Sequence, residues 1–334
     1  MNLVSTIDVA KHAGVSQTTV SRVLNKPDQV KKDTYDKVMA AVNELNYSAA
    51  GTEDAVPAAI ITKTISLIAG PLDDPIFIGS APTIISLAKE RGYQVNVHFV
   101  TKENEHETYD AVLSSKAEGL ILTSIQLDKA VHEKLVQSKI PFILLNSSYP
   151  ASQHSIGLNN VEAGYLAASH LLDSKHQEIA WVGGPLNNPT YKDRFLGFIQ
   201  ALQEANSKIR KKRLVIADPD KASLFKAFED LQSLKKKPTA IVAATDEMAI
   251  QLLDFYQEAG YRIPEDVSVI GIGNSEMGQH SSLALTSVGT ADSIANLGQE
   301  AINRLLDMLT LDQGESFNVS REVQLYERKT TASL

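Results

Sequence analysis

Thr6-Ile7-Asp8-Val9-Ala10-Lys11-His12-Ala13-Gly14-Val15-Ser16-Gln17-Thr18-Thr19-Val20-Ser21-Arg22-Val23-Leu24-Asn25 is the stretch on which the fold turns. Two short helical patterns flank a glycine, the layout of a helix-turn-helix whose second helix lies in a DNA major groove. Ser5 and Asp8 have capping-box spacing, so the first helix starts near Thr6. Val9, Ala10 and Ala13 form its apolar stripe, and Gly14 supplies the left-handed residue that ends it. Ser16 is an N-cap for the second helix. There Val20, Val23 and Leu24 point inward, while Gln17, Thr18, Ser21 and Arg22 point outward. A third amphipathic helix over about Asp33–Leu45 closes the small core with Val38, Val42 and Leu45. A helix used only for packing would carry an apolar outer face, and this one is polar.

Short polar side chains at the start of an exposed helix suit base edges and phosphates, and arginine can pair bidentately with guanine. Gln17, Thr18 and Arg22 are therefore the expected base readers. Ser5, Ser16, Thr19, Ser21, Asn25 and Thr34 are the expected phosphate contacts. Lys31 and Lys32 sit where a helix N-terminus would meet a phosphate.

Charge gives less support. The chain has a formal net charge of −8. Residues 1–47 carry six Lys/Arg and five acids, a net +1, which leaves −9 on the rest. One such headpiece binds DNA weakly, so a homodimer on a pseudo-palindromic double-stranded operator is expected. No basic-then-apolar leader opens the chain and no apolar run approaches membrane-spanning length, which predicts a cytoplasmic protein acting at the bacterial nucleoid. There is no cysteine, so disulfides and thiolate chemistry are excluded.

After Tyr47 the sequence turns small, polar and Gly/Pro-containing, which predicts a linker over 48–62. From residue 63 short apolar runs alternate with helical patterns. Strands are expected at Thr64–Ala69, Gln94–Val100, Gly119–Thr123, Phe142–Leu145, Glu178–Val182, Leu214–Ala217, Ala240–Ala244 and Val267–Ile272. Helices lie between them, among them Ile84–Glu90, Lys192–Glu204 and Asp246–Gln257. Such alternation predicts parallel sheets with covering helices, and the strand number suits two sheets. Ligands of such folds bind at the carboxyl ends of strands, where Phe77, Asn146, Arg194, Asp246 and Asn274 fall.

Val15-Ser16-x-x-Thr19-Val20-Ser21-Arg22-Val23-Leu24-Asn25, followed by Glu44-Leu45-Asn46-Tyr47, resembles the headpiece of the lactose/galactose repressor family. Asp74-Pro75-x-Phe77, Gly183-Gly184-Pro185, Arg194-x-x-Gly197-Phe198, Thr245-Asp246-x-Met248-Ala249 and Ile263-Pro264-x-Asp266-Val267 extend the resemblance over essentially the whole chain. It implies an all-α helix-turn-helix headpiece (1–47) and an α/β periplasmic-binding-protein-like core (63–334) of two parallel-sheet subdomains. The first would comprise 63–158 and 289–318, the second 159–288 and 319–331, with an effector cleft between them. Arg194 matches the family's effector-contacting arginine, and Thr190 matches a second contact. The function implied is an allosteric transcription regulator, a repressor of a carbohydrate-use operon controlled by a small sugar or sugar phosphate, with no cofactor, metal or enzymatic activity.

Two positions depart from the family pattern. Gly273 stands where many members carry an effector-contacting Asp, so Asn274 or Glu276 would meet the ligand. This Gly-Asn pair is similar to that of trehalose repressors and points to a disaccharide or its phosphate. The hinge lacks the usual Pro-Asn and basic residue; Val56 takes the place of the minor-groove leucine, with Glu53 and Asp54 beside it. Acids there repel phosphate, which predicts a linker that orders poorly on DNA. The alternative on residues alone is a cytoplasmic sugar sensor whose headpiece binds DNA weakly or not at all. An enzyme would need a motif that is missing: no P-loop, dinucleotide fingerprint, paired metal-ligand spacing or Gly-x-Ser-x-Gly elbow occurs.

Overall fold

A computed structural model describes residues 5–25, 30–45, 63–70, 72, 74–101, 103–147, 149, 151–291, 294–310 and 316–334. The chain divides into two compact units, Met1–Thr62 and Lys63–Leu334.

In the first unit α1 spans Thr6–Ala13, α2 Gln17–Asn25 and α3 Lys32–Glu44. The capping box forms reciprocally: Asp8 N donates to Ser5 Oγ at 3.4 Å and Ser5 N to Asp8 Oδ2 at 2.8 Å. Gly14 ends α1 at φ 66°, left-handed. Ser16 Oγ accepts from Thr19 N at 3.1 Å and starts α2. Val9, Ala10, Val20, Val23, Val38 and Ala41 are the buried core, with Leu24, Val42 and Leu45 half-buried around them. His12 Nε2 and Glu44 Oε2, 2.6 Å apart, tie the end of α1 to the end of α3.

The second unit holds two six-stranded sheets. The first contains β1 (Lys63–Ala69), β2 (Tyr93–Phe99), β3 (Gly119–Thr123), β4 (Phe142–Leu145), β5 (His154–Leu158) and β11 (Phe317–Arg321). Its order is β11-β5-β4-β3-β1-β2, and every pair is parallel. The second contains β6 (Ile179–Gly183), β7 (Leu214–Ile216), β8 (Ala240–Ala243), β9 (Ser268–Ile272), β10 (Thr286–Gly289) and β12 (Gln324–Tyr326). Its order is β12-β10-β9-β8-β6-β7, parallel except for the antiparallel β10–β12 pair. β3, β6, β8 and β9 are buried along their whole length. Continuous apolar runs of this kind are what sheets covered on both faces require. No helix among the described residues is long and apolar enough to cross a membrane.

Several elements differ from the sequence expectation. α4 (Pro75–Glu90) begins nine residues before Ile84, because Asp74 caps it and Pro82 is tolerated inside it. α8 (Pro189–Glu204) begins at a proline capped by Asn188 instead of at Lys192. β5, β10, β11, β12 and the long α12 (Ile294–Thr310) were not expected; the strands have only three to five residues. β11 stays in the first sheet through Arg321, so the chain's last crossing lies between Arg321 and Gln324, a few residues beyond 319.

The subdomains are set by close backbone approaches. A Cβ at Gly298 of α12 would lie 2.8 Å from the Ser80 carbonyl oxygen of α4, so these helices touch at glycine. α7 (Asn160–Asp173) meets α8 in the same way: a Cβ at Gly164 would overlap the Arg194 carbonyl, and one at Gly197 the Val161 carbonyl.

Burial holds the imidazoles of His98, His132, His154, His170 and His176 below their ordinary pKa. Each stays neutral in the fold at a pH where the unfolded chain, with a value of about 6.5, would be protonated. Their contribution is complete above that value and is lost as pH falls through the lowered folded values. The urea midpoint is therefore expected to drop between about pH 7.5 and about pH 5.5. An unchanged or higher midpoint at the lower pH would contradict this.

Candidate functional site

The polar face of α2 is as the local pattern requires. Ser16, Gln17, Thr18, Ser21 and Arg22 are exposed, and Thr19 and Thr34 are half-buried. Several of these groups already have partners within the headpiece. Gln17 Nε2 donates to Thr6 Oγ1 at 2.9 Å, so Gln17 must leave α1 before it can read a base. Ser5 Oγ is held by Asp8 at 2.6 Å, and Ser16 Oγ lies 2.8 Å from Thr19 Oγ1. These hydroxyls brace helix starts: Ser5 must release Asp8 before its single proton can go to a phosphate, and one proton of the Ser16–Thr19 pair is already used within the pair. Lys31 and Lys32 are exposed at the start of α3. The Asn25 side chain and the hinge position Val56, with its acidic neighbours, lie outside the described residues.

In the core, the strand order reverses beside β1 in the first sheet and beside β6 in the second. A crevice opens outside the carboxyl ends of strands at such switch points. A cleft of about 430 Å³ lies there. Ser124 and Asn146, which follow β3 and β4, and Leu158, the last residue of β5, form one wall; Pro185, Thr245 and Gly273 follow β6, β8 and β9 into the other. The first turns of α4, α8 and α10 (Asp246–Glu258) also border it through Asp74, Asn188 and Thr245, which cap those helices. Gln126 Nε2 donates to Asn187 O at 2.9 Å, a bond between the two subdomains.

Asn146, Thr190 and Arg194 line this cleft; Phe77, Asp246 and Asn274 do not. Arg194 is 5% exposed on α8. Its Nε donates to Asn160 Oδ1 at 2.9 Å and its Nη1 to Ala244 O at 2.6 Å. The guanidinium thus ties α7 to the end of β8 from the floor of the cleft, and Nη2 has no hydrogen-bond partner among the described residues. Burial lowers its pKa, yet a guanidinium remains charged. Asn146 sits at φ 48°; its amide nitrogen donates to Ser124 Oγ at 3.3 Å, while its side-chain oxygen is buried without a partner among the described residues.

The other three positions are occupied by the fold. Phe77 turns its ring edge-on to Phe99, centroids 5.2 Å apart, in the first-sheet core. Asp246 is 1% exposed; it accepts from Ser275 N at 2.6 Å and from Ser287 Oγ at 2.6 Å. It therefore ties the loop after β9 to β10, and Thr245 is the residue that caps α10. Burial pushes the Asp246 carboxyl up, against the pull of the Ser287 and Ser275 hydrogen bonds. Asn274 Oδ1 accepts from Arg328 Nη2 at 2.5 Å. Tyr191, Asp218 and Glu247 line the cleft and were not expected from the sequence. Glu247 could have been found, being the second residue of a helix that starts after a central strand. Glu247 is exposed to the cleft, and the protein packed around its carboxyl raises its pKa.

Comparison with known proteins places this geometry. Residues 6–49 match the "Bacterial regulatory proteins, lacI family" domain, and residues 168–331 match the "Periplasmic binding protein-like domain". The chain is 31% identical to the HTH-type transcriptional repressor PurR of Photorhabdus laumondii over 330 residues, covering 97% of this chain and 95% of that one. It is 32% identical to PurR of Erwinia tasmaniensis, covering 97% and 96%. Among solved structures, the lac repressor dimer bound to operator and the anti-inducer ONPF superposes with a TM-score of 0.76 at 27% identity, covering 99% of this chain and 100% of that one. The regulator CelR in complex with cellobiose gives 0.73 at 26%, covering 98% and 99%. A regulator from Enterococcus faecium with bound ribose gives 0.72 at 26%, covering 81% and 100%. A helix-turn-helix headpiece, two parallel-sheet subdomains around a cleft and near-complete alignment with named repressors lead to one conclusion: the chain belongs to the lacI family of bacterial regulatory proteins and is a DNA-binding transcription regulator.

Proposed function

We propose that the regulator is controlled by a neutral, hydroxyl-rich effector, a mono- or disaccharide, and that it represses genes for carbohydrate use. The observation that carries this is the charge of the cleft. Asp74, Asp218 and Glu247 line it against the single guanidinium of Arg194. A phosphate or carboxylate would meet three acids that offset Arg194 and the N-terminal ends of α4, α8 and α10, so the cleft offers it no net attraction, and each like-charge contact costs it binding energy. A neutral polyol instead finds acceptors in the carboxylates, a donor in Arg194 Nη2 and an orphaned acceptor in Asn146. Cellobiose and ribose, held by two of the structural neighbours, are neutral sugars. A thermal-shift series tests this: neutral sugars should raise the unfolding midpoint, and their phosphates should not. A shift with sugar phosphates or purine bases alone would overturn it.

On DNA, Arg22, Gln17 and Thr18 read bases, and Ser5, Ser16, Thr19, Ser21, Asn25 and Thr34 position phosphates. Two headpieces act together as a homodimer on a pseudo-palindrome, in the cytoplasm at the nucleoid. Arg22→Ala should cost about 1–3 kcal/mol on a duplex selected by the wild-type protein and less on random sequence. Gln17→Ala should cost less than Arg22→Ala, since Gln17 exchanges an existing bond to Thr6 for the new one. Equal losses for Arg22→Ala on both duplexes would reduce Arg22 to a phosphate contact.

A further inference from the structure

Tyr191 is the only aromatic residue among the described residues that line the cleft. It is the third residue of α8, after Pro189 and Thr190, and the Asn188 cap fixes the backbone on which it stands. Its ring rests on the loop that follows β6. A Cβ at Gly184 would lie 2.2 Å from Tyr191 Cε2 and 2.4 Å from Cδ2, so only a residue without a side chain leaves room for the ring. Backbone conformation does not explain this glycine. The described glycines with positive φ are Gly14, Gly92, Gly260 and Gly273, and Gly184 is not among them. Gly184 is there as a seat for the ring.

From that seat Tyr191 reaches the middle of the site. It is half-buried, and its open surface belongs to the cleft. The charges that bear on its hydroxyl come from both subdomains: Arg194, Glu247 and Asp218 on one wall, Asp74 on the other. Burial raises the pKa of the hydroxyl, so it remains an O–H donor at neutral pH. It has no hydrogen-bond partner among the described residues. Phe77, the other aromatic expected at the cleft, lies in the first-sheet core.

We propose that Tyr191, seated on Gly184, is the platform on which one sugar ring of the effector lies, and that it makes the site select a pyranose over an open-chain polyol. This rests on the reading of the cleft as the site of a neutral, hydroxyl-rich effector. A pyranose carries its hydroxyls around its rim and turns C–H groups to its faces. It can lay one face on an aromatic surface while the rim meets polar groups. The polar groups are placed for such a rim: Asp218 and Glu247 accept, and Arg194 and the Tyr191 hydroxyl donate. An open-chain polyol has as many hydroxyls but no apolar face, and it loses more rotational freedom on binding.

The test is calorimetric titration of the full-length protein. The ligands are four pyranose sugars (glucose, galactose, cellobiose and trehalose) and two open-chain polyols, sorbitol and galactitol. The wild type should bind at least one of the sugars, and the polyols at least about tenfold more weakly. Tyr191→Leu keeps apolar bulk without the aromatic face. It should weaken sugar binding about tenfold or more and narrow the lead over the polyols. Tyr191→Phe keeps the platform and removes only the donor, so the lead should survive a loss of about three- to tenfold. Gly184→Ala separates a platform from a residue that only packs. The methyl group would push the ring towards the open cleft, and a ring at the end of a side chain can turn aside. Stability should therefore change little, while sugar binding weakens about tenfold. With Tyr191 already replaced by Ala, Gly184→Ala should cost no further binding, because residues in contact act as one unit. Sugar affinity unchanged by Tyr191→Leu or Gly184→Ala, a loss in Tyr191→Phe as large as in Tyr191→Leu, or polyols bound as tightly as sugars would overturn this inference alone. A wild type that binds none of the four sugars would overturn the neutral-effector reading together with it.

Discussion

Gly164→Ala should lower the stability of the core by about 3 kcal/mol or more, read as a fall in the urea midpoint. In an open helix the same change would stabilise by about 1 kcal/mol, because alanine is the better helix former. Here the new methyl group would overlap the Arg194 carbonyl, and on the facing helix Gly197 meets the Val161 carbonyl in the same way. Backbone cannot step aside as a side chain does, so α8 must move bodily away from α7. That movement would also withdraw Arg194 from the cleft, so effector binding should weaken in the same variant. Gly260→Ala is the natural contrast. Gly260 has φ +83° with nothing within 4 Å of a built Cβ, so only the local cost of about 1–2 kcal/mol applies. Near-wild-type stability in Gly164→Ala would mean that the α7–α8 contact is looser than described.

Arg194→Met should abolish the sugar-induced thermal shift, an expected loss of at least about 100-fold in effector affinity, while lowering stability by only about 2 kcal/mol. The two readouts separate two roles. Removing the guanidinium leaves Ala244 O and Asn160 Oδ1 without their donor, at about 1–3 kcal/mol each. It also relieves the cost of keeping a cation buried, which offsets part of that loss. Arg194→Lys keeps the charge, but its single ammonium cannot span both acceptors and a ligand together, so it should recover little binding. If Arg194→Met lost stability yet bound sugar as before, Arg194 would be a structural strut, and the effector contacts would lie with Asn146, Tyr191 and Glu247.

How legible the molecule is from its sequence varies with the range of the interactions involved. The headpiece is local: the Ser5–Asp8 box, Gly14 and the Ser16 cap each act within four residues, and the apolar spacing of Val9, Val20, Val23 and Val38 then leaves one packing. The buried strands β3, β6, β8 and β9 were equally plain, because a sheet covered on both faces demands an unbroken apolar run. Short strands such as β5 and β12 were not, since they are held by pairing with strands remote in the chain. The cleft followed the same rule. Arg194 could be named from its motif, but whether Asp246 faces ligand or protein depended on Ser275 and Ser287, about thirty and forty residues away, arriving within hydrogen-bond reach. Phe77 was likewise claimed by Phe99, and Asn274 by Arg328. Glu178 is a further case, surrounded by Arg210, Arg213 and Lys236 from two basic runs that adjoin only because β7 and β8 flank β6. Sequence by itself determined the helix-turn-helix, the alternation of strand and helix, and the residue types available to DNA and ligand. Tertiary structure alone decided which polar groups are consumed by the fold and which are left to bind, because a buried hydrogen bond is set by where distant segments meet.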